Sequence, residues 1–249
     1  MSLNQSVLIC DQVNTTLKEI LEKNGLKVTY EPEITPEQIA EKIGTFDVVV
    51  VRSRTKMTRD LVEKASKCQI IARVGVGLDN IDQNAAKEKN IRVINAVEGA
   101  ITAVAELVIG LMLSMAREIP RADREIRNGN WIKKELMGSE LKGKYLGIVG
   151  LGNIGKRLGR LARALNMNII GYDVTPIDDE FSKEVGLMKA DLDTLLSSAD
   201  YVSFHVPLLD STRHMINAEK LKMMKNTARI INTSRGGVID EEALYNSLK

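Results

Sequence analysis

KYLGIVGLGNIGKRLGRLARALNMNIIGYD, residues 144–173, decides how the rest of the chain is read. A short apolar run (Leu146, Ile148, Val149) leads into Gly150, Gly152 and Gly155 in a GxGxxG pattern. An amphipathic segment to Leu165 follows, and then a second apolar run that ends at Asp173. The order is strand, tight turn, helix, strand. In such a turn the first glycine permits the reversal, the second lets backbone approach a pyrophosphate, and the third lets helix pack on strand. The free N–H groups and the dipole of the helix N-terminus attract phosphate charge. Asp173, eighteen residues past Gly155, falls where a carboxylate accepts hydrogen bonds from a ribose diol. A lone GxGxxG decides little. With the strand before it, the helix after it and the acid at this distance, it predicts a dinucleotide site rather than a glycine turn of some other α/β unit.

Working outward, 249 residues leave room for one large domain or two smaller ones. A 44% hydrophobic and 27% charged composition belongs to a folded globular chain, not a disordered one. The net charge of +2 gives no reason to expect a polyanionic partner. Lys156, Arg157, Arg160 and Arg163 read as the solvated face of one helix rather than a nucleic-acid surface. Cys10 and Cys68 sit beside apolar runs and are expected as buried free thiols in a reducing compartment, with no companions for a metal. The first residues, MSLNQSVLICD, do not read as a signal peptide. The most apolar segment, 103–116, is too short for a bilayer and contains Glu106, so a cytoplasmic protein with no membrane partner is expected.

The first half alternates strand and helix. Apolar runs at 7–10, 26–30, 46–51, 70–74 and 91–94 are separated by helical segments of eight to twelve residues. Thr35, Pro36 and Gln38 supply an N-cap, a first-turn proline and a capping-box partner. Such βα alternation implies a parallel sheet with helices on both faces, a small flavodoxin-like domain. Two loops follow strands, where open α/β sheets place ligands. VRSRTKMT (51–58) offers the cations Arg52, Arg54 and Lys56 to an anionic substrate. Arg52 and Ser53, directly after the strand, are read as ligand contacts; Lys56 is read as solvated and Thr58 as a helix cap. In RVGVGLDNID (73–82), Gly75 and Gly77 free backbone N–H groups to face a carboxylate, whereas Asp79, Asn80 and Asp82 are read as turn and capping residues.

Residues 98–131 read as helical, and 103–116 are apolar on nearly every face, which calls for burial all round. The segment is expected to cross between domains and join a homodimer interface, with a central helix of a monomeric core as the alternative reading. Beyond the glycine turn, 191–197 reads as a helix, 201–205 as a strand, 217–224 as a helix capped by Asn217 and 228–232 as a strand, with Asp240 capping a last helix. The expected division is 1–97 and 98–249.

VRSRTKMT, RVGVGLDNID, VAEL (104–107), GSELKGKYLGIVGLGNIG (138–155), HVPL (205–208) and NTSRGGVIDEEAL (232–244) together resemble the D-2-hydroxyacid dehydrogenase family, and within it the branch that oxidises 3-phosphoglycerate for serine biosynthesis. The resemblance covers essentially the whole chain. It implies two doubly wound parallel-sheet domains, a flavodoxin-like substrate domain and a Rossmann domain that binds NAD, in an enzyme that is a homodimer or higher homo-oligomer. The implied activity interconverts a small anionic 2-hydroxy acid and its 2-oxo acid by hydride transfer. It further implies that Arg235 grips the substrate carboxylate and carbonyl, aided by the backbone at Val76 and Gly77, and that Arg52 and Ser53 face the distal phosphate. Asn153 and Ile154 would lie against the pyrophosphate, Asp173 on the adenosine ribose, Val206 and Pro207 against the adenine side, and Thr233 near the nicotinamide.

The chain departs from the family after Asn95, where it reads Ala96, Val97, Glu98 in place of a frequent proline. The family's general acid, a histidine paired with a carboxylate, follows well after the arginine motif, and this sequence ends at Lys249, fourteen residues past Arg235. That role is transferred to neither His205 nor His214, and the sequence is expected to be part of a longer protein. Two other readings stay open: a glyoxylate or hydroxypyruvate reductase, and a non-catalytic NAD(H)-sensing protein like the corepressors that resemble this family.

Overall fold

The computed structural model describes residues 5–249. They divide into two compact units, Met1–Ala100 and Ile101–Lys249. The first contains β1 (Ser6–Ile9), α1 (Thr15–Lys23), β2 (Lys27–Tyr30), α2 (Pro36–Lys42), β3 (Val48–Val51), α3 (Arg59–Lys64), β4 (Ile70–Arg73), α4 (Gln83–Glu88) and β5 (Arg92–Asn95). Its five strands pair in parallel in the order β2-β1-β3-β4-β5, the flavodoxin-like arrangement. Both faces are covered. Leu8, Val49, Val51 and Ile71 pack with Ile39 and Val62 on one side, while Val7, Ile9 and Val50 meet Leu17 and Leu21 of α1 on the other. Burial on both faces is why β3 is four consecutive valines.

The strands lie where the apolar runs placed them. Helix α1, with 9 residues, has the expected length of eight to twelve, but the others are shorter: α2 has 7, and α3 and α4 have 6 each. Part of the difference is a parallel bridge between Met57 and Ile81, which holds residues ahead of α3 and α4 in extended form. The capping box at Thr35 and Gln38 is formed in both directions. Thr58 occupies the cap position of α3 but its side chain makes no capping hydrogen bond. Cys10 and Cys68 are buried free thiols, and burial raises them to about 12 and about 11.

The second unit takes in most of α5 (Glu98–Ala116), then α6 (Ile119–Arg127), β6 (Tyr145–Val149), α7 (Asn153–Ala164), β7 (Asn168–Tyr172), α8 (Asp179–Val185), β8 (Leu187–Lys189), α9 (Leu192–Ser198), β9 (Tyr201–Phe204), α10 (Ala218–Met223), β10 (Arg229–Asn232) and α11 (Glu241–Ser247). Its parallel sheet runs β10-β9-β6-β7-β8. Counted within the unit from β8, that is 3-2-1-4-5, the dinucleotide-fold order, with the switch point between β6 and β9. Leu146, Ile148 and Ile169 pack under α7 on one face, and Val149, Ile170, Val202 and Phe204 pack with α9 and α10 on the other.

The segment 98–131 is not one helix, although its apolar part, 103–116, lies within α5. Glu118 takes a left-handed conformation (φ 53°) and Pro120 sits in the first turn of α6, so α5 ends at Ala116. Burial all round is not what one chain provides. Ala105, Val108, Met112 and Ala116 form a buried stripe in the second unit's core, whereas Leu107, Leu111 and Leu113 are exposed. Helix α8 and strand β8 went unread in the sequence. Helix α8 and its N-cap give the basic face of α7 partners: Lys156 pairs with Asp178 at 3.1 Å and Arg160 with Glu184 at 2.7 Å, both beside the Phe181 ring.

Candidate functional site

The three glycines of the β6–α7 turn have three different local reasons. Gly150 has φ +94°, and a Cβ there would lie 2.7 Å from the His205 carbonyl oxygen. A Cβ on Gly155 would stand 2.1 Å from the Gly150 carbonyl oxygen, so the first turn of α7 touches the end of β6 only because that position is bare. Around Gly152 nothing lies within 4 Å of a Cβ. Protein packing therefore does not account for the middle glycine, which leaves the backbone there open to the approach of a ligand. Gly152 is the N-cap of α7 without a side-chain cap, and the first turn holds no acid. The first amides of the helix, at Asn153, Ile154 and Gly155, thus retain their donors for an anion.

Asp173, immediately after β7, is half-buried and anchors the same turn. Its Oδ2 accepts from the Leu151 N–H at 2.7 Å, and its Oδ1 accepts from the Thr175 N–H and hydroxyl, both at 2.8 Å. Burial pushes its pKa up, and the hydrogen bonds from Thr175 and Leu151 outweigh that, so the carboxyl titrates below its usual range. Oδ2 keeps a lone pair for one further donor. The carboxylate read as a ribose acceptor is therefore also a brace for the glycine turn.

Across the switch point, the His205 N–H donates to the Val149 carbonyl at 2.8 Å and carries the chain into Val206 and Pro207. Val206 Cγ1 comes close to Gly150, and the Thr212 hydroxyl donates to the Pro207 carbonyl at 2.6 Å. His205 Nε2 lies 2.9 Å from the hydroxyl of buried Ser203, and burial lowers the imidazole to about 4. At neutral pH its ring is uncharged.

After β10, Asn232 shapes the turn that presents Arg235. Its Oδ1 accepts from the Ser234 N–H at 3.0 Å and hydroxyl at 2.7 Å, and its Nδ2 donates to the Arg235 carbonyl at 2.8 Å. Arg235 is half-buried and extended, with Nη1 donating to the Ser234 carbonyl at 2.8 Å. With Asn232, Thr233 and Leu244 it lines a cavity of about 430 Å³. The Thr233 hydroxyl is buried with no hydrogen-bond partner. A buried orphan hydroxyl beside a cavity fits a polar ligand group better than it fits a finished core.

In the first unit the β3–α3 loop is held from beneath by Asp11, a buried carboxylate that ends the β1 run. Asp11 accepts from the Arg52 N–H at 2.5 Å and the Thr55 hydroxyl at 2.9 Å, and pairs with Arg54 Nε at 3.1 Å. Arg54 spends its remaining donors on the carbonyls of Ile34, Pro32 and Cys10. Of the three cations read in this loop, Arg54 is thus a structural strut and not a ligand. Arg52 and Ser53 are exposed, and Arg73 at the end of β4 reaches the Ser53 hydroxyl with Nη2 at 3.5 Å. Arg73 was missed; a charged residue closing an otherwise apolar strand was its signal. The backbone of Val76 and Gly77 follows in the next loop, which Asn95 ties to β5 through a hydrogen bond from Nδ2 to the Val76 carbonyl. Asp82 caps α4, as read.

A family model described as D-isomer specific 2-hydroxyacid dehydrogenase, NAD binding domain, matches residues 109–249. The chain is 46% identical over 244 residues to D-3-phosphoglycerate dehydrogenase of Methanocaldococcus jannaschii, covering 98% of this chain and 46% of that protein. It is 47% identical over 226 residues to hydroxypyruvate reductase of Thermotoga maritima, covering 91% of this chain and 72% of that protein. A glyoxylate reductase from Paecilomyes thermophila superposes with a TM-score of 0.88 at 30% identity, covering 99% of this chain and 78% of that one. The chain spans about half the length of the phosphoglycerate dehydrogenases it matches.

Proposed function

The chain belongs to the D-isomer specific 2-hydroxyacid dehydrogenase family, and from that premise we propose that it serves an NAD-dependent oxidoreductase interconverting a D-2-hydroxy acid and its 2-oxo acid, with 3-phosphoglycerate and 3-phosphohydroxypyruvate as the pair. The observation that carries the reading is the N-terminus of α7, whose first turn has no capping side chain and no acid and whose Gly152 borders open space. The residues fit the cofactor. Asn153, Ile154 and Gly155 would hold the pyrophosphate, Asp173 a ribose hydroxyl, Val206 and Pro207 the adenine side, and the Thr233 hydroxyl the nicotinamide end. NAD, when bound, takes up or delivers the hydride.

The chain's own part is binding and charge. Arg235 offers a planar, permanently charged fork that grips a carboxylate and polarises the neighbouring carbonyl as negative charge builds on its oxygen. The backbone at Val76 and Gly77 is assigned to a substrate carboxylate, and Arg52 and Ser53, with Arg73 beside them, to the distal phosphate. Among the described residues the proton is assigned to none, His205 being neutral and committed to Ser203. The exposed leucines of α5 are proposed to pack on a second copy of the chain.

The test is a substrate panel on the full-length protein together with Arg235→Ala. Loss of a buried charged partner should lower kcat/KM by about two to three orders of magnitude. Unchanged kinetics would remove Arg235 from the chemistry. A second reading, reduction of hydroxypyruvate or glyoxylate, is favoured by the commitment of Arg54 to Asp11, which leaves fewer cations for a phosphate. The same panel decides it by which substrate has the larger kcat/KM.

A further inference from the structure

We propose that Asn80 is a positioning residue that sets the spacing between the two substrate loops of the first unit and thereby selects hydroxy acids carrying a distal phosphate. The proposal rests on the assignment of Arg52 and Ser53 to that phosphate. Asn80 Nδ2 donates to two carbonyls of the β3–α3 loop, Arg52 O and Thr55 O, each at 2.7 Å. Its own backbone carbonyl accepts from the Met57 N–H at 2.7 Å, and the Asp82 N–H donates to the Met57 carbonyl at 2.8 Å. One residue of the second loop thus grips the first loop at three places. Its Oδ1 is buried and unpartnered, so the fold retains this amide for its two hydrogens alone.

The consequence falls on Arg52. Asp11 holds its N–H and Asn80 holds its C=O, which fixes the root of the side chain from both sides. The guanidinium has only a 3.4 Å contact to the Gln12 carbonyl and stays free to meet an anion. The loop carrying Val76 and Gly77 is secured independently by Asn95 and by the Ala96 N–H on the Gly75 carbonyl at 3.1 Å. Asn80 is therefore the tie between a phosphate-facing root and a carboxylate-facing backbone. A ligand that spans both loops feels their spacing; a ligand that uses only the second does not.

The experiment uses full-length protein with NADH bound, to which D-3-phosphoglycerate and D-glycerate add as dead-end ligands without turnover. The readout is the ratio of their dissociation constants by calorimetry, with NADH affinity as the check that the second unit is intact. Arg52→Ala should collapse the preference for the phosphorylated acid. Asn80→Ala and the isosteric Asn80→Asp, which sets an oxygen against two carbonyls, should lower the ratio about tenfold, the scale of coupling within one hydrogen-bond network. On the Arg52→Ala background, Asn80→Ala should then change the ratio by less than about twofold, since the residue acts through Arg52. An Arg52→Ala ratio equal to the wild type's sinks the phosphate assignment and the proposal with it. If Arg52→Ala collapses the ratio but neither Asn80 variant moves it, the assignment stands and the positioning role of Asn80 is wrong.

Discussion

Two glycines three residues apart should fail in opposite ways when each is given a single methyl group. In Gly155→Ala the new Cβ would stand 2.1 Å from the Gly150 carbonyl oxygen, while an ordinary carbon–oxygen contact is about 3.3 Å, so α7 must retreat by roughly 1 Å. The obstacle is backbone, with no flexible side chain to swing aside. The cost belongs at the upper end of the overpacking range, about 3 kcal/mol, or roughly 6–12 °C in Tm for a unit of this size. In Gly152→Ala the Cβ meets nothing within 4 Å and the backbone (φ −69°, ψ −164°) suits any residue. A weaker cap and a stiffer unfolded chain offset one another, leaving a change below about 0.5 kcal/mol. The methyl does occupy the space through which a pyrophosphate reaches the α7 amides, and NADH affinity should fall about tenfold or more, some 1.4 kcal/mol. Thermal unfolding and fluorescence titration with NADH separate the two. A Gly152→Ala protein that melts as early as Gly155→Ala, or that binds NADH as tightly as the wild type, would refute the separate roles of the two glycines.

Two further outcomes follow from the same structure. Because the folded His205 titrates near 4 and an unfolded histidine near 6.5, the unfolded chain takes up the proton first as pH falls; stability is full above about 6.5 and should drop by about 3 kcal/mol on approaching pH 4. His205→Gln should flatten that slope in urea unfolding at pH 7, 5.5 and 4.5, and parallel curves for the two proteins would contradict the buried, neutral assignment. Leu107 and Leu111 are 54% and 40% exposed in a single chain, so Leu107→Lys with Leu111→Lys should shift sedimentation toward the monomer if a second copy covers α5. A wild type that already sediments as a monomer at micromolar concentration would sink that reading.

Strands were legible because burial on both faces makes them short apolar runs: Val48–Val51 and Tyr201–Phe204 could hardly be anything else. The edge strand Leu187–Lys189 is three residues long, with Met188 and Lys189 exposed, and leaves no such trace. The glycine turn was legible for a different reason, since Gly150 and Gly155 answer steric demands of the chain itself, Gly152 leaves the start of α7 open, and the spacing records all three. Side-chain destinations were not. Arg52 and Arg54 look alike in VRSRTKMT, but Arg54 turns toward a carboxylate 43 positions earlier, whereas the Arg52 guanidinium reaches only the Gln12 carbonyl. Asn80 looked like a turn residue because its acceptors, Arg52 O and Thr55 O, belong to another loop. Long-range partners of polar side chains carry no local pattern, whereas caps such as Asp82, Asp191 and Asp240 bond three residues ahead and can be read directly.

The two units share a parallel, doubly wound plan and each opens a loop at its switch point, yet only one is suited to a dinucleotide. The difference lies in what satisfies the donors there. In the first unit the chain satisfies its own: Asn14 caps α1 by accepting from the Thr16 N–H, and Asp11 takes the Arg52 N–H and the Thr55 hydroxyl. Negative charge is already in place, so an incoming anion must be met by side chains projecting past it, such as Arg52. In the second unit Gly152 caps nothing, the first turn of α7 has no acid, and Asp173 braces the turn from behind at Leu151 without covering the helix end. The amides stay available, and the phosphate charge is what completes them. On the proposed reading, a carboxylate at one switch point and a glycine at the other divide the work between substrate and cofactor.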